Sequence, residues 1–493
     1  MRTETNRRAG EAAPRGAKAP SPLRSAGALH KAMEDAALTG HALGSVPGAA
    51  ASSKRAEEDE LPEGWQRQQL DELCELVRDQ IQPSAAAGLP YVGLEHIGSG
   101  EPTLKRWGDP EDVRSAKTRF APGDILYGKL RPYLDKSVVA PFAGICSTDI
   151  LVFRAQADRA IAEFLVSAIH TKPFLDYAVS TTAGVNHPRT SWNALKVHAL
   201  AVPPLPEQQA IAAVLRTVQG AKEACERVLA ATRQLKQSLL RHLFTYGPVP
   251  LAQAAHVPLK ESEVGPVPEH WSVVSIGDIE TFIQYGTSSC CESGGSGLPV
   301  LRIPNVVGGR IDTADLKYLA ASPVEIERHL LQRGDLLFVR TNGVRENVGR
   351  CAVYLDSPMR SLFASYLIRA RLASDKALPE FVQLFTETNT GRASFTGRAS
   401  GAADGKFNIN TQTIRSTIIP LPPLPEQREI AAQLAAVDAK LAAAESRRSA
   451  LAALFQSLLH HLMTGRVRVP LEYGGKRSAT PLSPCTERPS RSL

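Results

Sequence analysis

The chain contains no uninterrupted apolar run approaching the ~18 residues of a bilayer-spanning helix, so no membrane span is expected. Arg2, Arg7 and Arg8 open it, but no apolar h-region follows, which argues against a secretory signal. The cysteines, at 74, 146, 225, 290, 291, 351 and 485, include no C-x-x-C pair, so a zinc site is not expected. Cys290 and Cys291 are neighbours, too close for an ordinary disulfide, and a reducing, cytoplasmic setting fits best. Catalytic signatures are missing too. GAADGKFN (Gly401–Asn408) has the wrong glycine spacing for a phosphate-binding loop, and Phe407 stands where a hydroxyl is required. No G-x-G-x-x-G follows a strand, and G-x-S-x-G, H-E-x-x-H and the Asn-Pro-Pro-aromatic motif of amino-methyltransferases are absent. His460 and His461 read as imidazoles at the negative end of a helix rather than as metal ligands.

What remains is long, basic and globular in composition. At 493 residues the chain exceeds what one core usually serves, so two or more domains are expected. Hydrophobic content is 43%, and 57 Lys and Arg against 50 Asp and Glu leave a net charge of +7, compatible with an anionic partner. Residues 1–60 are rich in Ala, Gly, Ser, Pro and Arg and lack Trp, Tyr and Phe. Such a composition buries too little apolar surface to offset chain entropy, so a disordered leader is expected. The segment 467–493 reads the same way.

The strongest signal is a phrase written twice. PPLPEQ occurs at Pro203–Gln208 and again at Pro422–Gln427, each time before an Ala/Leu-rich stretch. Its prolines hold the backbone extended, and the last is tolerated in the first turn of a helix. Glu207 and Glu426 then place a carboxylate near that helix's positive end. Other phrases recur in the same order: LPEGW (Leu61–Trp65) with VPEHW (Val267–Trp271), and PGDILYGKLRP (Pro122–Pro132) with RGDLLFVRTNG (Arg333–Gly343). Collinear matches of this kind mark a tandem duplication. Each copy has a front part of short apolar runs between Gly, Asp and Pro turns, such as DILVF and DLLFV, which read as strands. AIAEFLVSAIHTKPFLDYA adds helix, so each front part is a mixed α/β domain.

Each rear part reads as one long helix. Ile211, Leu215, Val218, Cys225, Leu229, Leu239 and Leu243 form an apolar seam in the first. Ile430, Leu434, Val437, Leu441, Ala444, Leu451, Phe455, Leu458 and Leu462 form it in the second. Forty residues of helix span ~60 Å, longer than a small domain, so the two seams are expected to pair, antiparallel, as a coiled coil. The expected fold class is α/β (α+β). Its parts are domain one at 61–202, a helix at 203–246, a linker at 247–266, domain two at 267–421 and a helix at 422–466.

The loops that follow the Gly-Asp turns carry Lys129, Arg131, Tyr133 and Lys136 in the first copy, and Arg340, Asn342 and Arg345 in the second. A second set precedes each PPLPEQ: Asn186, His187 and Arg189, then Lys406 and Asn408. Arg suits guanine N7/O6, Asn suits adenine N6/N7 and Lys suits phosphate, so the set points to DNA. Gly123, Asp124, Gly334 and Asp335 read as turn formers, and Trp65 and Trp271 as core anchors.

GDLLFVRTNGVRENVGRCAVY, FIQYGTSSCCES…LPVLRIPNV, PGDILYGKLRPYLDKS and the two PPLPEQ phrases together closely resemble the specificity (S) subunit of type I restriction–modification enzymes, over about 61–466. Arg302 and Asn305, within LPVLRIPNV, join the DNA-binding candidates. The resemblance implies that the front parts are target-recognition domains and the helices spacers. It implies double-stranded DNA as ligand, two methyltransferase (M) subunits and restriction/translocase (R) subunits as partners, and no catalytic residue or metal site in this chain. S-adenosylmethionine, ATP and Mg2+ would belong to those partners. The leader and tail depart from the family pattern. Two other readings compete: a self-sufficient methyltransferase or nuclease, opposed by the missing motifs, and a coiled-coil scaffold without sequence-specific DNA binding.

Overall fold

A computed structural model describes residues 61–86, 88–355, 360–401 and 405–471. The expected leader at 1–60, most of the expected tail and Cys485 lie outside the described residues. The chain divides into two compact units, Met1–Gln66 and Arg67–Leu493. In the first, the described residues form a turn closed by the Trp65 amide on the Pro62 carbonyl, at 3.0 Å. All that follows concerns the second.

Its first lobe is built on four strands, β1 (Cys74–Leu76), β2 (Ile125–Gly128), β3 (Ser137–Val139) and β4 (Ile150–Ala155). They lie antiparallel in the order β1-β4-β2-β3. The long helix α1 (Leu205–Tyr246) follows. The second lobe repeats the plan with β5 (Glu280–Tyr285), β6 (Leu336–Val339), β7 (Cys351–Val353) and β8 (Leu367–Leu372) in the order β5-β8-β6-β7, and ends in α2 (Leu424–Met463). A side sheet in each lobe contains one parallel pair, Tyr91–Val92 with Ile145–Cys146 and Val300–Leu301 with Leu362–Phe363. The helical stretch expected after β4 is two helices, Ala162–Ile169 and Lys172–Ser180. The linker is folded: Leu251–His256 forms a 3-10 turn, and Leu259–Lys260 pairs with Val267–Pro268.

The duplication extends to ion pairs made on buried carboxylates. Asp124 and Asp335, 2% and 0% exposed, cap the turns that lead into β2 and β6 by accepting the Ala121 and Gln332 amides at 2.7 and 2.8 Å. Gly123 and Gly334 supply the left-handed residue at φ 88° and 87° that each turn requires. Each carboxylate is then gripped by both prongs of an arginine on a neighbouring strand, Arg154 at 2.8 and 2.8 Å and Arg371 at 2.7 and 2.9 Å. Turn and sheet are thereby locked together by a bidentate, charge-assisted pair.

The glutamine of PPLPEQ explains why the phrase recurs. The buried Gln208 carboxamide accepts the Ile161 amide at 3.0 Å and donates to the carbonyls of Arg159 and Pro203 at 2.9 and 3.0 Å. Gln427 does the same in the second lobe, accepting from Leu378 at 2.7 Å and donating to Lys376 and Pro422 at 3.0 and 2.8 Å. One side chain thus fixes the start of each long helix to the loop that enters the short helix of its own lobe. The glutamate beside it makes a further tie, across the two halves from Glu207 and within the second half from Glu426. Glu207 takes both prongs of Arg468, just beyond α2, and Glu426 accepts from His270 and the Trp271 indole at 2.8 and 2.9 Å. Trp271 is a core anchor as expected, at 1% exposure.

α1 and α2 pair antiparallel. The start of α1 pairs beyond the end of α2, Glu207 with Arg468. Later contacts move back along α2, Cys225 and Arg233 meeting the Ala444 carbonyl and Glu445, and Lys236 meeting Asp438. Most of the expected seam is buried, but Leu240 and Leu459 are buried while Leu239 and Leu458 are only half-buried. Near its end α1 leaves the two-helix seam and enters the second lobe. Leu240, Leu243 and Phe244 share one core with Ile430, Leu434, Trp271, Phe338 and Phe381. Lys236 seals this junction, 2.7 Å from Glu387 of the second lobe and 2.8 Å from Asp438 of α2. Burial opposes its charge, and the two carboxylates outweigh it, holding its pKa above the ordinary lysine value. The first lobe grips α1 through Gln208 and through Thr103 and Lys105, which reach Glu223 and Glu226 at 2.6 and 2.9 Å. The lobes therefore sit toward opposite ends of a helix of 42 residues, ~63 Å at ~1.5 Å per residue.

Replacing Gln427 with Met, similar in volume, strands one amide and two carbonyls, at about 1–3 kcal/mol for each buried group left without a partner. Denaturant unfolding of Gln427→Met is expected to show a loss of this order, and Gln208→Met a similar one. No change in either midpoint would remove the glutamine from this role.

Candidate nucleic-acid interface

In the first lobe the segment after β2 does not stand alone. The Arg131 amide donates to the Pro188 carbonyl at 2.8 Å, and the Thr190 amide to the Lys129 carbonyl at 3.1 Å. Lys129, Arg131 and Tyr133 are thus brought beside Asn186 and Arg189, the second sequence-predicted set. Among the described residues, only Arg131 and Asp135 are non-glycines with positive φ, 52° and 49°. Each such residue costs about 1–3 kcal/mol and persists only where its surroundings impose it. Here the buried His170 imposes it: its ring nitrogens lie 2.6 Å from the Asp135 carboxylate and 2.9 Å from the Ser137 carbonyl. The turn between the two strained residues carries Tyr133 outward, 57% exposed.

The predicted residues divide by what their side chains already do. Arg131 and Asn186 are exposed and form no hydrogen bond through their side chains, and Lys129 is half-buried with none. Lys136 is spent on the Leu94 carbonyl at 2.5 Å, and Arg189 on Asp149 at 2.8 Å while remaining partly exposed.

The second lobe joins its two sets through a strand pair. Thr341–Asn342 lies antiparallel to Phe407–Asn408, and the Ile409 amide donates to the Arg340 carbonyl at 3.0 Å. Arg340 lies over the Tyr285 ring, 4.7 Å from its centroid, a cation–π contact that holds the fork in place. Its Nη1 reaches the Ser365 carbonyl at 3.3 Å, and its buried Nε has no partner, so most of its donor capacity is unspent. Asn342 accepts the Val344 amide at 2.9 Å, keeping its NH2 available, and Lys406, next to Phe407 in sequence, is exposed. Val344 and Tyr366, 51% and 56% exposed, give this face an apolar component.

Three predicted residues serve mainly as structure. Arg345 donates to the Thr396 and Ala399 carbonyls at 2.9 and 3.3 Å and lies over Phe407, pinning its loop. Arg302 pairs with Asp315 at 2.8 Å. Asn305 is taken out of the interface: it is 1% exposed, accepts the Arg302 amide and donates to the Asp312 and Asp315 carbonyls. An amide consumed on three sides and buried has nothing to offer a base edge.

Sequence reasoning missed His170 and Tyr285, whose roles arise only where distant segments meet. Arg350 is exposed beside the same loop with no hydrogen bond through its side chain. Among the described residues no group of three or more His, Cys, Asp or Glu could hold a metal. His461 Nδ1 donates to the Ser457 carbonyl of its own helix at 2.7 Å and lies 3.4 Å from the Ser457 hydroxyl, and no described helix is long and apolar enough to cross a membrane.

Two equivalent lobes thus carry different basic loops and sit toward opposite ends of one helix pair. Residues 268–452 match the type I restriction modification DNA specificity domain. The chain is 28% identical to the type I restriction enzyme EcoKI specificity subunit of Escherichia coli K12 over 399 residues, 75% of this chain and 81% of that one. It is 23% identical to the StySPI specificity subunit of Salmonella potsdam over 390 residues, again 75% and 81%. The crystal structure of the type I restriction-modification S subunit from M. genitalium shares the fold at a TM-score of 0.54 and 14% identity, covering 82% of this chain and 98% of that one. Residues 268–452 thus carry a type I DNA specificity domain, and the chain is similar over most of its length to type I restriction enzyme specificity subunits.

Arg340→Ala is expected to weaken recognition by about 1–3 kcal/mol, the worth of a bidentate base contact, with folding stability little changed. Asn305→Ala should do the reverse, lowering the unfolding midpoint while base preference stays the same. Mobility shifts on half-site variants, with unfolding curves, check both. A loss of stability in Arg340→Ala equal to its loss of binding would make it a structural residue.

Proposed function

We propose that this chain is the non-catalytic reader of a bipartite, asymmetric DNA site, one half read by each lobe acting as a target-recognition domain. The observation that carries the reading is the pair of equivalent lobes fixed toward opposite ends of one antiparallel helix pair. Antiparallel helices exchange the two copies by a two-fold rotation, the symmetry with which paired readers address inverted half-sites. The loops differ, GKLRPYLDKS against VRTNGVREN, so the two halves of the site differ. Arg131, Tyr133, Asn186 and Arg189 would act in one half, and Arg340, Asn342, Lys406 and Asn408 in the other, with Lys129 toward phosphate.

Two methyltransferase subunits would supply adenine methylation with S-adenosylmethionine, and restriction/translocase subunits ATP- and Mg2+-dependent cleavage. This chain contributes position alone. The competing scaffold reading is tested by a mobility shift: specific binding that weakens steeply with salt supports the DNA reader, and none at any salt supports the scaffold.

The helix pair would then set the unread gap between half-sites. An insertion in α1 alone would break its pairing with α2, so the test needs matched insertions. Four residues after Thr232 and four after Ala443 add ~6 Å to the pair. At ~3.4 Å per base pair the spacer should lengthen by about one or two pairs, with both half-sites unchanged. Methylome sequencing of cells carrying the variant reads this directly, and an unchanged spacer in an active complex overturns the ruler.

A further inference from the structure

Cys290 and Cys291 lie in the segment between β5 and the strand Leu298–Leu301. Cys290 has no part in a core, and Cys291 packs only at the edge of a small one, beside Val300 and Leu362. Both are free; Cys290 is exposed and Cys291 half-buried. The other described cysteines, 74, 146, 225 and 351, are buried. Burial pushes the thiols of Cys74 and Cys146 up to about 12, so they are inert as nucleophiles.

The pair is held at both flanks. On one side Glu325 accepts hydrogen bonds from the Thr287 and Ser289 hydroxyls, and the Cys291 thiol donates to the Ser289 carbonyl at 3.4 Å. On the other, Glu292 and Tyr318 exchange backbone hydrogen bonds at 3.0 and 2.9 Å. The flank also leads to the reading face: the Ser365 amide donates to the Thr287 carbonyl at 2.7 Å, and the Ser365 carbonyl receives Arg340 Nη1.

Adjacent residues suit one kind of thiol chemistry better than another. Consecutive Cα atoms are ~3.8 Å apart, below the ~4.4–6.8 Å of ordinary disulfides, so a direct S–S bond would distort the backbone. A large thiophilic atom placed between the sulfurs removes that constraint, and thiolates are the soft ligands such an atom prefers. We propose that Cys290 and Cys291 form a bidentate dithiol site for trivalent arsenicals, and that filling it disables DNA reading by the second lobe. With a monosubstituted arsenic(III) oxide, two As–S bonds form and the arsenic–oxygen bonds break. The oxygen leaves as water with both thiol protons, and arsenic stays trivalent, so no oxidant is consumed. The second half of the proposal rests on the reading of the second lobe as a half-site reader.

Phenylarsine oxide is the probe, applied to the full chain carrying Cys485→Ser. Native mass spectrometry should find one arsenical per chain, retained against a monothiol and removed by 2,3-dimercaptopropanol. Cys290→Ser and Cys291→Ser should each abolish retention, and undiminished retention in the double variant overturns the site. In the complex with its methyltransferase subunits, the arsenical should lower affinity for specific DNA at least tenfold. That loss should be absent in the double serine variant, with the first half-site's base preference unchanged. Retention with unaltered DNA affinity would sustain the dithiol site and overturn its coupling to reading. Arg340→Ala on the same DNA shows separately whether the second lobe reads at all.

Discussion

A single carboxamide, buried where each long helix begins, is the constraint on which the rest of the molecule depends. Gln208 and Gln427 each saturate three backbone groups that would otherwise be stranded, one on the helix's entry strand and two on the loop before the short helix of the lobe. The bonds are short and buried, so the direction in which each lobe leaves its helix is fixed by geometry rather than by side-chain packing alone. In the first copy the neighbouring Glu207 then reaches across to Arg468 beyond the other helix, while Glu426 stays within its own half. A lobe and its own helix are thus referred to one point, and the point occurs twice.

Much of this was legible in the sequence, for definable reasons. Repetition survives as collinear phrases, and proline fixes where a helix can start. An apolar seam that returns at helical spacing over forty residues, interrupted at Arg448 in the second copy, is the mark of a long helix with one covered face. The Gly-Asp turns were legible because only glycine adopts their backbone cheaply. The fold class, the two lobes and the antiparallel helix pair follow from these local rules.

Residues that act across distance were not legible. Arg154 and Arg371 complete the turn carboxylates from strands far along the chain, and nothing near them in sequence marks them. His170 lies in what reads as continuous helix, yet it braces the strained turn at Asp135. Asn305 shows the opposite error. An asparagine near a glycine-rich hairpin has the functional groups to read adenine or to stitch a loop, and only burial tells which. Arg345 and Lys136 show the same ambiguity in charged form: a cation on a loop can be spent on carbonyls before any ligand arrives.

The strand pair that unites Thr341–Asn342 with Phe407–Asn408 has a consequence for redesign. Each candidate face is assembled from two segments separated by the body of its own sheet, and the backbone bonds between them set how both present their side chains. Transplanting one loop from a relative would import half a lock and leave the other half cut for the old key. The smallest unit that carries its specificity intact is the whole lobe, and the natural seam for such an exchange is the proline-bounded phrase at its end. There the buried carboxamide would meet the same three backbone partners whichever lobe was attached.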